Sequence, residues 1–127
     1  MKGKLKWLLL GKGIYTEIKA KRNKWPGQAR IGRRFKLGRG SVLERYMGGE
    51  LKVEDGVTIC RNCKISTCGG NINIRSNTTL GDCTTITAQG GVYIGKNVMF
   101  ADHVTLIANE HNYKNINVPI MEQGSHK

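Results

Sequence analysis

The chain has 127 residues with 17 glycines, 2 prolines and only 6% aromatic residues, a composition that is poor material for a thick globular core and favours many short strands and turns. Its formal net charge of +12 is of the kind that attracts nucleic acid, anionic lipid or a phosphorylated substrate. No aromatic stacking pattern is interleaved with the basic residues, so we expect no nucleic-acid partner.

The first predicted element is a basic N-terminal segment, residues 1–30, in which we expect a short helix. Most of the positive charge lies within residues 1–45, where Glu17 and Glu44 are the only acidic residues. The apolar run Trp7–Leu10 is too short for a secretory signal or a membrane-spanning helix. The helix either caps the domain or lies on an anionic membrane, a peripheral contact that would place a cytoplasmic protein at the inner face of the membrane.

A six-residue repeat follows over residues 31–111. Twelve hexads begin with an apolar residue, in four groups of three: Ile31, Leu37, Leu43; Val53, Ile59, Ile65; Ile74, Leu80, Ile86; and Ile94, Phe100, Leu106. A period of six with one inward apolar residue is typical of one flat face of a triangular β-solenoid, in which three faces make a coil. The sequence therefore predicts an all-β solenoid of about four triangular coils.

Short inserts separate the four groups, which are offset by 22, 21 and 20 residues. The inserts are Gly49–Lys52, Asn71–Asn73 and Val92–Tyr93, and all fall at the same phase of the repeat. We expect them to leave the coil at one common corner. The fourth hexad position is Gly or Asn in half of the hexads, and these residues tolerate the left-handed backbone that a sharp corner needs. The fifth position is mostly small or slender, so we expect it to point inward.

The four cysteines invite a metal interpretation, because Cys60 and Cys63 form a CxxC pair and Cys68 and Cys83 complete a set of four. The repeat places Cys60 at the second position of its hexad, Cys63 at the inward fifth, and Cys68 and Cys83 at corner fourths, so an extended chain would separate these thiols onto different sides. We expect reduced thiols that fill the columns of the repeat, and no metal site.

Histidines are the candidate catalytic residues. His103 falls at a predicted corner, and His126 is close to the end of the sequence, where we expect it to be mobile. His111 occupies the last position of the fourth coil, and sixteen residues without the hexad pattern follow it. A titratable side chain at the mouth of an extruded loop is a candidate for catalysis.

The stretch IGKNVMFADHVTLIANEH, which ends at His111, resembles a motif of the hexapeptide-repeat sugar O-acetyltransferases. These include the maltose and galactoside acetyltransferases and polysaccharide-modifying relatives, and they form left-handed parallel β-helices. The continuation, residues 112–127, is similar to the substrate loop of the polysaccharide-modifying branch. The resemblance implies that His111 is the catalytic residue, and we expect its neighbours Asn109, Glu110 and Tyr113 to bind the substrate.

The activity that the resemblance implies is transfer of acetyl from acetyl-CoA to a sugar hydroxyl of a surface polysaccharide or its lipid-linked oligosaccharide precursor. A neutral imidazole at His111 would accept the hydroxyl proton as a general base. The resemblance also implies a homotrimer, with the acetyl-CoA between neighbouring subunits, but it assigns no cofactor-binding residue. The acceptor-binding places of the maltose and galactoside enzymes hold Gly81 and Gln89 here, which implies a different sugar.

Two alternatives stay open. Members of the family continue with further coils that carry most of the acyl-CoA groove, so this chain could be a truncated, catalytically inactive β-solenoid. A metal enzyme similar to the gamma-class carbonic anhydrases is the other alternative, although His103 and His111 do not follow the histidine pattern of that family.

Overall fold

The solenoid is the architecture that the computed structural model shows for the described residues, which are 7–10, 15–17 and 29–126. Parallel strands stack into about four coils, and no α-helix occurs in these residues. The prediction of an all-β solenoid of about four coils is therefore confirmed. Because every face stacks strand on strand, each coil contacts mainly the coils before and after it.

Three sheets form the faces of the solenoid. In order across the sheet, the first face contains β1 (Trp7–Leu10), β5 (Val42–Arg45), β8 (Lys64–Ser66), β11 (Thr85–Thr87) and β13 (Thr105–Ile107). The second face contains β2 (Tyr15–Glu17), β4 (Lys36–Gly38), β7 (Thr58–Ile59) and β10 (Thr79–Leu80). The third face contains β3 (Ala29–Ile31), β6 (Leu51–Val53), β9 (Ile72–Ile74) and β12 (Val92–Ile94).

The first residues of the hexads stack in columns inside the solenoid. On the first face, Leu43, Ile65, Ile86 and Leu106 are partners in register on β5, β8, β11 and β13. The first three of these side chains are fully buried, whereas Leu106 in the fourth coil is only partly buried. The apolar column is therefore continuous, and it is least well covered in the fourth coil, where Phe100 is also partly buried.

Corners of the coils use left-handed backbone, as the fourth hexad position predicts. Positive φ angles occur at the fourth-position residues Arg34, Gly40, Gly56, Asn62, Cys68, Asn77, Cys83, Asn97 and His103. The third corner, the fourth position of the last hexad of each coil, is less regular: Cys68 has a positive φ there, whereas Tyr46, Gln89 and Asn109 do not. In the first and third coils, Met47 and Gly91 take that conformation instead. The inward fifth position is confirmed at Cys63 and Thr84, which are buried, but Gly90 is exposed.

The inserts do not leave the coil, so that expectation is wrong. Each insert runs into a strand of the third face, namely β6, β9 or β12. Leu51 and Ile72 come from inserts and are buried, 3% and 1% exposed, two residues before the buried hexad starters Val53 and Ile74. Because side chains two residues apart in a strand share one face, each insert adds a second inward apolar residue to the third face.

The N-terminal segment forms strands where the structure describes it, and the expected helix is not confirmed. β1 pairs antiparallel with β5 of the first coil, and β2 pairs antiparallel with β4. The two strands cover edges of the first coil that would otherwise expose unpaired backbone groups. The remainder of residues 1–30, apart from β3, lies outside the described residues. In the described part of the chain, no helix is long and apolar enough to cross a membrane.

Carboxylates tie neighbouring coils together at the corners. Asp55 accepts hydrogen bonds from the backbone N–H of Arg33 (2.8 Å) and from its guanidinium (2.8 Å). Asp82 accepts the same pair of bonds from Arg61 one coil earlier. The Arg61 side chain first, and its backbone N–H second, hold the pKa of Asp82 below its usual range. A carboxyl with a lowered native pKa stabilises the fold above its unfolded-state pKa, and this contribution is lost as the pH falls through the native pKa.

Replacement of Asp82 by asparagine should therefore lower stability at neutral pH but matter less in acid. We expect the urea midpoint of Asp82→Asn to lie below that of the wild type at about pH 7 and the difference to shrink at about pH 3, below the unfolded-state pKa of about 3.9, because the wild type there loses part of the stability that its ionised carboxyl contributes. The matched control is Asp102→Asn, because Asp102 accepts a hydrogen bond from the Asp82 N–H (2.8 Å) but forms no ion pair within the described residues. If the urea midpoint of Asp82→Asn lay equally far below the wild-type midpoint at both pH values, the carboxylate charge of Asp82 would not be the cause of the lost stability.

Candidate functional site

A short hairpin follows the fourth coil. It consists of β14 (Glu110–His111) and β15 (Ser125–His126), which pair antiparallel, and a 3₁₀ helix (Ile120–Glu122) lies in the connection. His126, which we expected to be mobile, lies in β15 instead, because its strand is paired with the chain that leaves the coil.

Gln123 orders the connection between the two strands. Its side-chain NH₂ donates to the carbonyls of Asn115 (2.8 Å) and Val118 (2.6 Å), and its side-chain oxygen accepts from the Asn115 N–H (3.2 Å). One amide side chain thus satisfies three backbone groups of an otherwise exposed segment. The connection has a defined shape as a result.

The hairpin is fastened to the third coil at the corner that holds Gln89. Hydrogen bonds join the Gln89 side chain to the Ser125 hydroxyl, at 3.1 and 3.3 Å. Ser125 is the cross-strand partner of His111, so these two side chains share one face of the hairpin. Gln89 therefore contacts the hairpin of its own chain.

Glu110 and His126 are the other cross-strand pair and share the opposite face. The Glu110 carboxylate oxygen Oε2 lies 3.6 Å from Nε2 of His126. On the other side of the ring, Nδ1 of His126 lies 2.8 Å from Oδ1 of Asn112. The imidazole therefore stands between a carboxylate and an amide oxygen.

This face of the hairpin borders a cleft of about 540 Å³, which is within the size range of small-molecule sites. It is lined by Glu110, Asn112, Tyr113, Lys114, Asn115, Gln123 and His126. The lining residues are of polar or charged types, and both signs of charge are present. Such a set of donors and acceptors suits a ligand with several hydroxyl groups.

Two of the four predicted site residues, Glu110 and Tyr113, line this cleft, and two do not. His111 is exposed on the other face of the hairpin. Asn109 is half-buried, and its side-chain oxygen is buried without a hydrogen-bond partner in the described part of the chain. An orphaned buried carbonyl is costly, so a donor from a ligand or a partner subunit would relieve it.

A second cleft, of about 360 Å³, lies on the third face of the solenoid beside Tyr93. The Tyr93 hydroxyl accepts a hydrogen bond from the Arg75 guanidinium at 3.0 Å. The side-chain oxygen of Asn73 in this cleft is also buried without a partner among the described residues. The face therefore offers an exposed aromatic ring between polar groups.

The four cysteines all lie within the described residues, and none of them is in a disulfide. Cys63 is buried and its sulfur contacts the Gly81 carbonyl at 3.1 Å, and burial raises the pKa of this thiol. The described residues contain no group of three or more His, Cys, Asp or Glu side chains arranged to hold a metal ion.

Comparison with protein-family models, with curated proteins and with solved structures finds no match for this chain. The fold and the site therefore define its class: a parallel β-solenoid protein that carries a polar cleft on a hairpin beside its last coil.

Proposed function

We propose that the protein is an acyl-CoA-dependent O-acetyltransferase that transfers acetyl from acetyl-CoA to a sugar hydroxyl of a surface polysaccharide or its precursor. The observation that carries the proposal is the parallel β-solenoid itself, whose hexad motif over residues 94–111 ends on an exposed histidine where the chain leaves the coil. The left-handed sense of the coil and the homotrimer are part of the proposal, because both derive from the resemblance.

His111 is the general base of the proposed reaction. Its neutral imidazole accepts the proton of the sugar hydroxyl while the oxygen forms a bond to the acyl carbon. The imidazolium then returns the proton to the sulfur as the carbon–sulfur bond breaks, so no covalent acyl-enzyme is needed. Acetyl-CoA supplies the activated acyl group. Solvent exposure of His111 leaves the ring accessible to both reactants.

The acceptor would lie in the hairpin cleft, where Glu110 and Tyr113 are available as the predicted substrate contacts. Because His111 and this cleft belong to opposite faces of the hairpin, one chain does not bring all the parts together. A neighbouring subunit of the proposed trimer would have to complete the site. The same interface is where we propose that acetyl-CoA binds.

The basic residues support an acceptor or a surface with negative charge. Exposed Arg33, Arg34, Lys36 and Arg39 lie close together in the first coil. We propose that they, with the basic segment before them, favour a pyrophosphate-linked sugar or the anionic inner face of the membrane in the cytoplasm.

The second candidate is a catalytically inactive β-solenoid. It is favoured by the separation of His111 from the cleft and by the partial exposure of Phe100 and Leu106 in the fourth coil. In that case the chain would have no affinity for acetyl-CoA.

Titration calorimetry of the full chain with acetyl-CoA separates the two candidates, with the mass of the complex determined by light scattering. An O-acetyltransferase should bind with an affinity in the micromolar range as a trimer and should release free thiol when sugar acceptors are added. Acetyl phosphate is the control ligand, because it carries the acetyl group without the nucleotide. An absence of acetyl-CoA binding by a monomeric chain would contradict the acetyltransferase and leave the inactive solenoid.

A further inference from the structure

We propose that Glu110 and His126 together bind two neighbouring hydroxyl groups of a sugar ring in the hairpin cleft, with His126 as an acceptor-positioning residue. The proposal names the substrate class of the site and rests on the proposed function only for what happens to that sugar afterwards. It starts from a residue that lies outside the hexad repeat and was not expected to belong to the site.

The strand register creates the pair. Glu110 and His126 are directly opposite on the antiparallel strands β14 and β15, so their side chains project from the same face of the hairpin. Both are partly open to the cleft, since the Glu110 side chain is 64% exposed and the His126 side chain 55% exposed. The hydrogen bond between the side chains of Gln89 and Ser125 holds β15 in place. The two side chains therefore face a ligand from a fixed backbone.

The hydrogen bonds assign the tautomer of His126. The NH₂ group of the Asn112 side chain donates to the Gln123 carbonyl at 3.0 Å, which turns the Asn112 oxygen toward the imidazole. Nδ1 of His126 must then be the donor in the 2.8 Å contact with that oxygen. In the neutral ring, Nε2 is left as an acceptor.

Two acceptors thus stand side by side at the cleft, the lone pair of Nε2 and the carboxylate of Glu110. The 3.6 Å between their atoms is longer than a charge-assisted hydrogen bond of about 2.7–2.9 Å, so both acceptors keep capacity for a ligand. Their spacing suits two hydroxyl groups on adjacent ring carbons, each of which donates to one acceptor. Lys114 lines the same cleft and can donate to a ring or hydroxyl oxygen.

The arrangement also explains why the ligand should be a polyol rather than an anion. Glu110 repels a negatively charged group next to His126, whereas a hydroxyl pair gains a charge-assisted hydrogen bond from it. The residues that line the cleft are of polar or charged types, and Tyr113 adds an aromatic ring. A sugar ring with a free cis-diol meets these requirements.

The test uses the full chain without acetyl-CoA and methyl α-mannopyranoside as the probe, with its isopropylidene acetal at the cis-diol as the matched ligand. The wild-type chain should bind the glycoside by titration calorimetry or by ligand-observed NMR, and it should bind the acetal at least about tenfold more weakly, because the acetal donates neither hydroxyl.

Three variants and one control locate the interaction. His126→Asn keeps a group that can reach Asn112 but removes the acceptor at Nε2, and Glu110→Gln removes the carboxylate. Each should weaken glycoside affinity at least about tenfold. His126→Gln restores an acceptor near the Nε2 position and should recover part of the affinity. His103→Asn changes an exposed corner histidine and should bind as the wild type does.

Glycoside affinity that is equal for the diol and its acetal, or is unchanged in His126→Asn, would overturn the proposal, and so would a wild-type chain that does not bind the glycoside. Failure of the proposed function would look different, because the chain would bind the diol but would neither bind acetyl-CoA nor release thiol. If acetyl transfer occurs, His126→Asn should raise KM for the sugar and change kcat little. A loss confined to kcat would contradict a positioning role.

Discussion

Replacement of His111 by alanine should lower the rate of acetyl transfer by at least about 100-fold, the usual contribution of a general base. Alanine cannot accept the hydroxyl proton, so the sugar oxygen would have to attack while still protonated. Because His111 is exposed on a two-residue strand, the loss should fall on kcat and not on stability. Turnover is measured from the release of free thiol, and the unfolding midpoint is measured alongside it.

His103→Asn is the matched control for this substitution. His103 has a φ of 60° at a corner of the fourth coil, and Asn62 and Asn77 adopt nearly the same φ, 55° and 58°, at equivalent corners. Asparagine should therefore fit without strain and leave turnover unchanged. If His111→Ala kept full activity while a His126 variant lost it in kcat, the proton acceptor would be His126 and the assignment of His111 would be wrong.

The repeat could be predicted from sequence because one inward residue per face has to recur wherever a coil stacks on the next. Ile65 and Ile86 are the first residues of hexads in successive coils, and they are partners in register on β8 and β11. The corner positions followed from the conformational tolerance of Gly and Asn. Local chemistry and global stacking agree at these places, so the pattern alone was sufficient.

The N-terminal strands and the inward side chains of the inserts could not be predicted from the six-residue pattern. Trp7–Leu10 is a short apolar run that suits a helix or a strand equally well, and its strand conformation depends on pairing with β5, far along the chain. Leu51 and Ile72 lie in the inserts and are out of phase with the hexads. The six-residue period therefore did not predict that their side chains point inward.

The site was only partly predictable for a related reason. The repeat ends at His111, and the neighbours Glu110 and Tyr113 follow from proximity in sequence. His126 reaches Glu110 only because the chain turns back and pairs β15 with β14. The bonds of Gln123 that set this turn involve an irregular segment, for which periodicity gives no signal.

The second large effect is expected in the core of the solenoid. Replacement of Ile65 by alanine should lower the free energy of unfolding by about 2–5 kcal/mol. Ile65 is fully buried in β8 and stacks between Leu43 of the first coil and Ile86 of the third. The substitution removes apolar contact with both coils and leaves a cavity that a column of stacked strands cannot easily close.

Ile107→Ala makes the same chemical change on the outer surface of the same sheet. The Ile107 side chain is 64% exposed, so its loss should change stability by no more than about 0.5 kcal/mol. Urea denaturation of both variants gives the comparison, and Ile65→Val, with an expected loss of about 0.5–1.5 kcal/mol, keeps the test open if Ile65→Ala does not fold. Equal losses for Ile65 and Ile107 would contradict the inward column.

Amide exchange in Ile65→Ala tests the solenoid further, because each coil is stabilised by its two neighbours. Loss of Ile65 should weaken the stacking of the second coil on both of its neighbours, and amide exchange should accelerate in β5, β8 and β11 before it does in β13. The hairpin is fastened to the third coil through Gln89 and Ser125, so exchange of the His111 amide should also accelerate. Protection that fell equally in every coil would mean that the chain unfolds as one unit and that the site is not coupled to the core through this one contact.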